Sequence, residues 1–152
     1  MAISVIFFDL GDTLVATSTR SWLPGAQALL KRLQEADFRL GIISNTSGLD
    51  TRAAILNVLP TDFDLGVFEA KLVLFSSEVK KEKPDPLIFE DAVARAGVPA
   101  NQCLFCSEDI VDTLIAQQVG MRSIRVQTSP NSDLAKFQQT IMKFQHLTRN
   151  GA

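Results

Sequence analysis

A chain of 152 residues, 46% hydrophobic and 21% charged, is long enough to bury one sizeable core and has the balance of an ordinary globular domain. A net charge of −2 with no basic block excludes general nucleic-acid binding and attraction to acidic membranes. No apolar run approaches the ~20 residues needed to span a bilayer, and the N-terminus lacks the pattern of a signal peptide, so a cytoplasmic protein forming a single domain over 1–152 is expected.

Val5-Ile6-Phe7-Phe8 is a short unbroken apolar run that enters the turn Asp9-Leu10-Gly11-Asp12-Thr13. Such a run predicts a fully buried strand of a parallel sheet. Residues 14–23 read as polar and irregular. Pro24-Gly25 then opens a helix with Ala26, Leu29, Leu30 and Leu33 on one face. Arg39 to Ser44 reads as a second buried strand. Gly48 to Leu59 reads as a helix capped by Asp50, with Ala53, Ala54, Ile55 and Val58 facing inward, and Pro60 breaks it.

Residues 63–70 carry no clear pattern. Leu72 to Phe75 reads as a third strand and Ser76 to Pro86 as a polar loop. Leu87 to Ala96 reads as a helix with Leu87, Ile88, Phe89, Ala92 and Val93 inward, stopped by Gly97. Cys103 to Cys106 is the fourth strand, Ile110 to Val119 the next helix, and Arg122 to Gln127 the fifth strand. A last helix carries Leu134, Phe137, Ile141 and Phe144 on one face. Strands alternating with helices imply right-handed crossovers and an α/β, three-layer Rossmann-like parallel sheet with helices on both faces.

The two cysteines, Cys103 and Cys106, have the spacing of a redox or zinc pair, but they lie within a strand. Residues three apart on a strand point to opposite faces, so two buried thiols are expected instead. The single His146 lies in the last helix, far in sequence from every acidic cluster, which argues against histidine-dependent chemistry.

Polar clusters end three strands: Asp9 to Thr13, Ser44 to Ser47, and Ser107 to Asp112. Lys83 sits in a loop before a helix. In open α/β sheets the ligand site lies beyond the carboxyl ends of the strands. Acids from separate strands can hold Mg²⁺, which prefers oxygen ligands and keeps waters and a phosphate oxygen. A lysine and a serine hydroxyl can bind the remaining phosphate oxygens, and an aspartate left between Mg²⁺ and the lysine can attack phosphorus to form an acyl phosphate.

These stretches resemble the motifs of the haloacid dehalogenase (HAD) superfamily over residues 4–127. The first is an apolar strand followed by DxDxT, here Phe8-Asp9-Leu10-Gly11-Asp12-Thr13-Leu14. The second is a strand ending in a hydroxyl, here Gly41-Ile42-Ile43-Ser44-Asn45. The third is KPDPxIF, unbroken from Lys83 to Phe89. The fourth is an acidic pair after a strand, here Ser107-Glu108-Asp109-Ile110-Val111-Asp112, followed by Gly120-Met121.

The resemblance implies a Mg²⁺-dependent phosphatase working through an aspartyl-phosphate. In that reading Asp9 is the nucleophile and a metal ligand, and Gly11 offers the metal its carbonyl. Ser44, with Asn45 beside it, and Lys83 bind the phosphate. Glu108, Asp109 and Asp112 complete the metal site. Two departures stand out. Gly11 replaces the aspartate that acts as general acid and base in family phosphatases, leaving Asp12 one residue later as the substitute, and Ser107-Glu108 replaces Gly-Asp. Loss of a general acid or base typically costs ~10²- to 10⁴-fold in rate, so weak turnover is expected. The alternative is a catalytically impaired member that binds Mg²⁺, a phosphorylated ligand or a protein partner. Neither 14–38 nor 46–82 has room for a cap domain. The expected site is therefore open to a phosphorylated small molecule or macromolecule, or covered by a second subunit of a homo-oligomer. Trp22 and Leu23 are candidates for a small flap, a self-association patch or simple core. Dehalogenation is disfavoured without a cap to enclose a small apolar substrate.

Overall fold

The computed structural model describes residues 2–126. Five parallel strands form its main sheet: β1 (Val5–Phe8), β4 (Arg39–Ser44), β5 (Val73–Phe75), β6 (Cys103–Ser107) and β7 (Arg122–Arg125), in the order β5-β4-β1-β6-β7. β2 (Val15–Ala16) and β3 (Ser21–Trp22) pair antiparallel as a separate small hairpin. The helices are α1 (Ala26–Glu35), α2 (Arg52–Leu56), α3 (Ser76–Val79), α4 (Pro86–Ala96) and α5 (Ile110–Gln118).

The expected α/β class and parallel sheet are present. Alternation along β1 explains the three layers. Ile6 and Phe8 pack on one face with Leu40, Ile42, Leu104, Cys106 and the α1 residues Leu29 and Leu33. Val5 and Phe7 pack on the other with Ile43, Phe105 and residues of α4 and α5. Cys103 and Cys106 fall in these opposite clusters as buried free thiols. Burial pushes the Cys103 thiol up to about 11 and raises Cys106 as well. Gly41 pairs with Phe7 across β4 and β1, and a Cβ there would meet the Phe7 ring at 2.6 Å and the Leu72 carbonyl at 2.7 Å. Only glycine allows that approach.

Several sequence expectations are corrected. Residues 14–23 contain the β2–β3 hairpin, because backbone pairing of Val15 with Trp22 and Ala16 with Ser21 orders a segment that has no apolar periodicity. The helix expected from Gly48 to Leu59 is only Arg52–Leu56, and its cap is Thr51, whose hydroxyl accepts from Ala54 N–H, rather than Asp50. Of the inward residues expected there, Ile55 is buried and Ala53 is exposed. Residues 65–67 and 70–72 form 3₁₀ turns, so β5 begins at Val73. Ser76–Val79 makes a single helical turn inside the expected loop. Leu87 is 50% exposed, since it stands in the first turn of α4, where only Ile88 and Phe89 meet the sheet. The predicted last helix, His146 and the end of the fifth strand at Gln127 lie outside the described residues. Among the described residues no helix is long and apolar enough to cross a membrane.

Trp22 is committed rather than free. Its ring stacks on Phe63 at 5.3 Å, Phe63 stacks on Phe68 at 5.9 Å, and its indole N–H donates to Asp62 at 2.8 Å. Arg20 donates to the Leu59 carbonyl at 3.1 Å. These contacts anchor the hairpin against the segment that follows α2.

Candidate active site

β1 is flanked by β4 on one side and β6 on the other, and the chain crosses over in opposite directions from it. Its carboxyl end is the topological switch point, the usual ligand crevice of an open α/β sheet. Asp9 stands there, fixed by its own N–H donating to the Cys106 carbonyl at 3.0 Å. Its Oδ1 accepts from Leu10 N–H at 2.8 Å and lies 3.0 Å from Lys83 Nζ. Its Oδ2 accepts a longer bond from the Ser107 hydroxyl at 3.4 Å.

Lys83 is the centre of the arrangement. Its side chain is only 3% exposed, and its Nζ is also 3.1 Å from Asp112 Oδ2. It lies 5.6 Å above the Phe105 ring. A buried ammonium is costly unless paired, and two carboxylates supply the pairing. Sequence reasoning did not reveal what holds the lysine loop. Asn45 does so with both ends of its amide, donating to the Lys83 carbonyl and accepting from Lys83 N–H, each at 2.9 Å. Its side chain is thereby engaged with protein rather than directed to a ligand. The ends of β4 and β5 are tied in turn, with Thr46 N–H donating to the Ser76 hydroxyl at 2.8 Å and Ser77 N–H to the Thr46 hydroxyl at 3.1 Å. Ser44, 5% exposed, ends β4 on the same rim.

The loop after β6 is fixed from three directions. Glu108 N–H donates to the hydroxyl of the fully buried Thr13 at 3.1 Å, Asp109 N–H to the Ser107 hydroxyl at 3.1 Å, and Arg125 Nε to the Glu108 carbonyl at 3.0 Å. Asp109 caps α5, accepting from Val111 and Asp112 N–H at 2.8 and 3.3 Å. Asp112 in the first turn then faces Lys83. Thr13, Asn45 and Ser107 bond across 95, 38 and 98 positions of chain. Asn45 was expected at the phosphate and not as a brace of the lysine loop, and the bracing parts of Thr13 and Ser107 were missed, because motif position does not reveal partners so distant in the chain.

Negative charge is in excess here. Burial raises the pKa of Asp112 against the opposing pull of Lys83. Burial also raises Glu108, and the nearby Asp12, Asp109 and Asp9 charges add to the effect. Among the described residues no three His, Cys, Asp or Glu side chains already converge as a metal cage. Mg²⁺ needs no such cage, since one or two carboxylates with waters and a phosphate suffice. A rim of crowded carboxylates next to one lysine fits that requirement.

Position 11 carries no side chain, and a Cβ there would meet nothing nearer than Thr17 Cγ2 at 3.9 Å. Asp12 is exposed with φ of 60°, a conformation aspartate tolerates. Among the described residues the polar partners of the Asp9 carboxylate are Leu10, Lys83 and Ser107, and Asp12 is not one of them.

Residues 18–120 match the model of the haloacid dehalogenase-like hydrolase family. The chain belongs to that family. It is 32% identical over 103 residues to glyceraldehyde 3-phosphate phosphatase of Pyrococcus abyssi, covering 67% of this chain and 41% of that protein. It is 33% identical over 119 residues to phosphoglycolate phosphatase of Xanthomonas campestris, covering 78% of this chain and 50% of that protein. The chain thus spans half or less of the length of these relatives. Among solved structures, a HAD family enzyme from Bacteroides thetaiotaomicron in complex with magnesium and inorganic phosphate superposes with a TM-score of 0.66 at 15% identity, over 89% of this chain and 98% of that one. CbbY from Rhodobacter sphaeroides in complex with phosphate gives 0.64 at 14% identity, over 88% and 91%. These structural likenesses show the shared fold.

Proposed function

We propose that this chain is a Mg²⁺-dependent phosphatase in which Asp9 is the nucleophile. The observation that carries the proposal is Lys83 Nζ held 3.0 Å from Asp9 and 3.1 Å from Asp112 at the switch point of the sheet. The phosphatase relatives and the phosphate-bound neighbours support it.

Lys83 and the Ser44 hydroxyl orient the phosphate oxygens of the substrate. Lys83 and Leu10 N–H hold Asp9 Oδ1, which aims Oδ2 at phosphorus. Oδ2 attacks, the ester bond breaks, and an aspartyl-phosphate forms. Water then attacks phosphorus and frees Asp9. A bound Mg²⁺, held by Asp9, the Gly11 carbonyl and the Glu108, Asp109 and Asp112 carboxylates, would neutralise phosphate charge. Asn45 acts as a positioning residue through the Lys83 backbone. With glycine at position 11, that position supplies no side-chain proton relay; Asp12, exposed one residue later and near enough to Glu108 for its charge to raise that carboxyl, is the remaining candidate, and turnover is slow.

The test is turnover of acetyl phosphate and p-nitrophenyl phosphate with Mg²⁺, by wild type and by Asp9→Asn. Loss of the nucleophile should reduce turnover by about 10³-fold or more. Equal turnover by the two proteins would sink the Asp9 mechanism. The missing side chain at Gly11 favours a second reading, a non-catalytic binding protein on the same scaffold. No turnover in either protein with Mg²⁺ still bound would select it.

A further inference from the structure

A cavity of about 530 Å³ opens beside the nucleophile, within the range of small-molecule sites. Gly11, Ser44 and Asn45 line it, so it is continuous with the phosphate rim. Thr17 and Ser18 at the hairpin tip and Thr46 and Ser47 after β4 also line it, together with an aliphatic part made by Leu49 and Val58 over the buried Ile55 and Leu59. Among the described residues that line it, none is charged. The walls are anchored by the Arg20 bond to the Leu59 carbonyl and by the Trp22 stack on Phe63. The empty side-chain position at Gly11 lies where this cavity meets the rim, with 3.9 Å of clearance to Thr17.

We propose that the cavity receives the leaving group of the substrate, and that the substrate is an acyl or aryl phosphate whose organic part is uncharged and apolar. The inference rests on the phosphatase reading. Two observations define the class. An uncharged cavity with an aliphatic wall disfavours a charged body, which would be desolvated there without a partner. The absence of a proton donor at position 11 disfavours an alkoxide leaving group, which departs only when protonated. In the fitting reaction Asp9 Oδ2 bonds to phosphorus as the bond from phosphorus to the leaving oxygen breaks. The leaving group keeps the electron pair and departs as a carboxylate or aryloxide, with no proton required. Water then attacks phosphorus, the acyl phosphate opens to regenerate the Asp9 carboxylate, and the water proton passes to solvent with release of inorganic phosphate.

Four substrates separate the parts of the proposal. Acetyl and benzoyl phosphate share a leaving-group type and differ in the ring, whereas benzoyl and benzyl phosphate share the ring and differ in the leaving group. 2-Phosphoglycolate adds a charged body. After correction for uncatalysed hydrolysis, kcat/KM should be at least about tenfold higher for benzoyl than for acetyl phosphate, with 2-phosphoglycolate the poorest. Leu49→Glu should reduce the ratio of benzoyl to acetyl turnover about tenfold. Thr17→Glu, at an exposed position that the fold tolerates, should reduce it in the same direction. Gly11→Asp should raise benzyl phosphate turnover by about 10²-fold relative to benzoyl phosphate, because it supplies the missing acid.

Calorimetry with the non-hydrolysable benzylphosphonate and methylphosphonate reads the cavity without turnover. Benzylphosphonate should bind at least about fivefold tighter, and Leu49→Glu should erase that difference. Equal binding, with acetyl phosphate turned over as well as benzoyl, would overturn the inference. The phosphatase reading would survive that result if Asp9→Asn still abolished turnover. Efficient hydrolysis of 2-phosphoglycolate or benzyl phosphate by wild type would overturn the substrate class. No turnover of any phosphate, with tighter benzylphosphonate binding retained, would remove the phosphatase reading and uphold the cavity's preference.

Discussion

Two ion-pair clusters stand at opposite ends of the same sheet. At the amino end of β4, Arg39 donates through Nε and Nη2 to the two carboxylate oxygens of Glu69 at 2.8 and 3.0 Å, and through Nη1 to the Ala96 carbonyl at 2.8 Å. Both side chains are about a third exposed, 32% and 35%. At the carboxyl end, Lys83 is 3% exposed and divides one ammonium between Asp9 and Asp112, with Glu108 and Asp109 close by. In the Arg39 cluster the one carboxylate is fully compensated, by a bidentate pair with Arg39 and by Lys71 at 3.7 Å. The Lys83 cluster has more carboxylates than cations, and Asp9 keeps one loosely held oxygen. A cluster built only to stabilise would resemble the first. The second keeps uncompensated negative charge and one loosely held carboxylate oxygen at the switch point of the sheet.

Lys83→Met should break the comparison most strongly. It removes the ammonium that, among the described residues, pairs with both Asp9 and Asp112, and leaves these largely buried carboxylates without it. Breaking a buried pair in this way costs about 3–5 kcal/mol, and the loss should appear in urea denaturation. Phosphatase turnover should fall with it. A variant as stable as wild type would mean that the carboxylates rehydrate freely, and the site would then be more open than its burial indicates.

Thr13→Val should have a smaller effect at the same end. The substitution keeps the shape of the side chain and leaves Glu108 N–H without its acceptor. An unsatisfied buried donor costs about 1–3 kcal/mol. Because this bond places the loop that carries Glu108 and Asp109, Mg²⁺ affinity should weaken as well, read by calorimetry. Stability loss without any change in Mg²⁺ affinity would limit Thr13 to a structural part.

The contrast between the two ends also explains what sequence could convey. The carboxyl end was legible in outline, because the apolar stretches Val5–Phe8, 40–43 and 103–106 each stop at a polar residue, Asp9, Ser44 and Ser107. A strand that stops at Asp9 or Ser44 presents that residue on the rim whatever its neighbours are. Asn45 was legible only as a rim residue, since its part as a brace depends on where Lys83 arrives from 38 positions away. The helix expected over 48–59 overshot because apolar spacing alone cannot separate a helix from a turn that buries Ile55 and Leu59 by other means. The hairpin carries no apolar period, so the cavity wall formed by Thr17 and Ser18 was invisible before folding. The Arg39–Glu69 pair joins a strand start to a 3₁₀ turn and left no pattern at all.

That outer pair gives the smallest effect and the clearest pH signature. The Glu69 carboxyl is held below its ordinary value first by the hydrogen bond from Arg39, against a burial effect of opposite sign, with the charges of Arg39 and Lys71 adding to the lowering. A depressed carboxylate releases its proton more readily in the folded than in the unfolded chain. Its stabilising contribution is therefore present in full above the unfolded value and is lost as pH falls toward the folded one. Solvent screening at a third exposure keeps the contribution under about 1 kcal/mol. Glu69→Gln should lower stability slightly at neutral pH and converge with wild type in acid below the ordinary carboxylate range. Two parallel stability-against-pH curves would show that Glu69 acts through packing or neutral hydrogen bonds. Convergence would establish the amino end as a conventional structural pair, the reference against which the Lys83 cluster is judged.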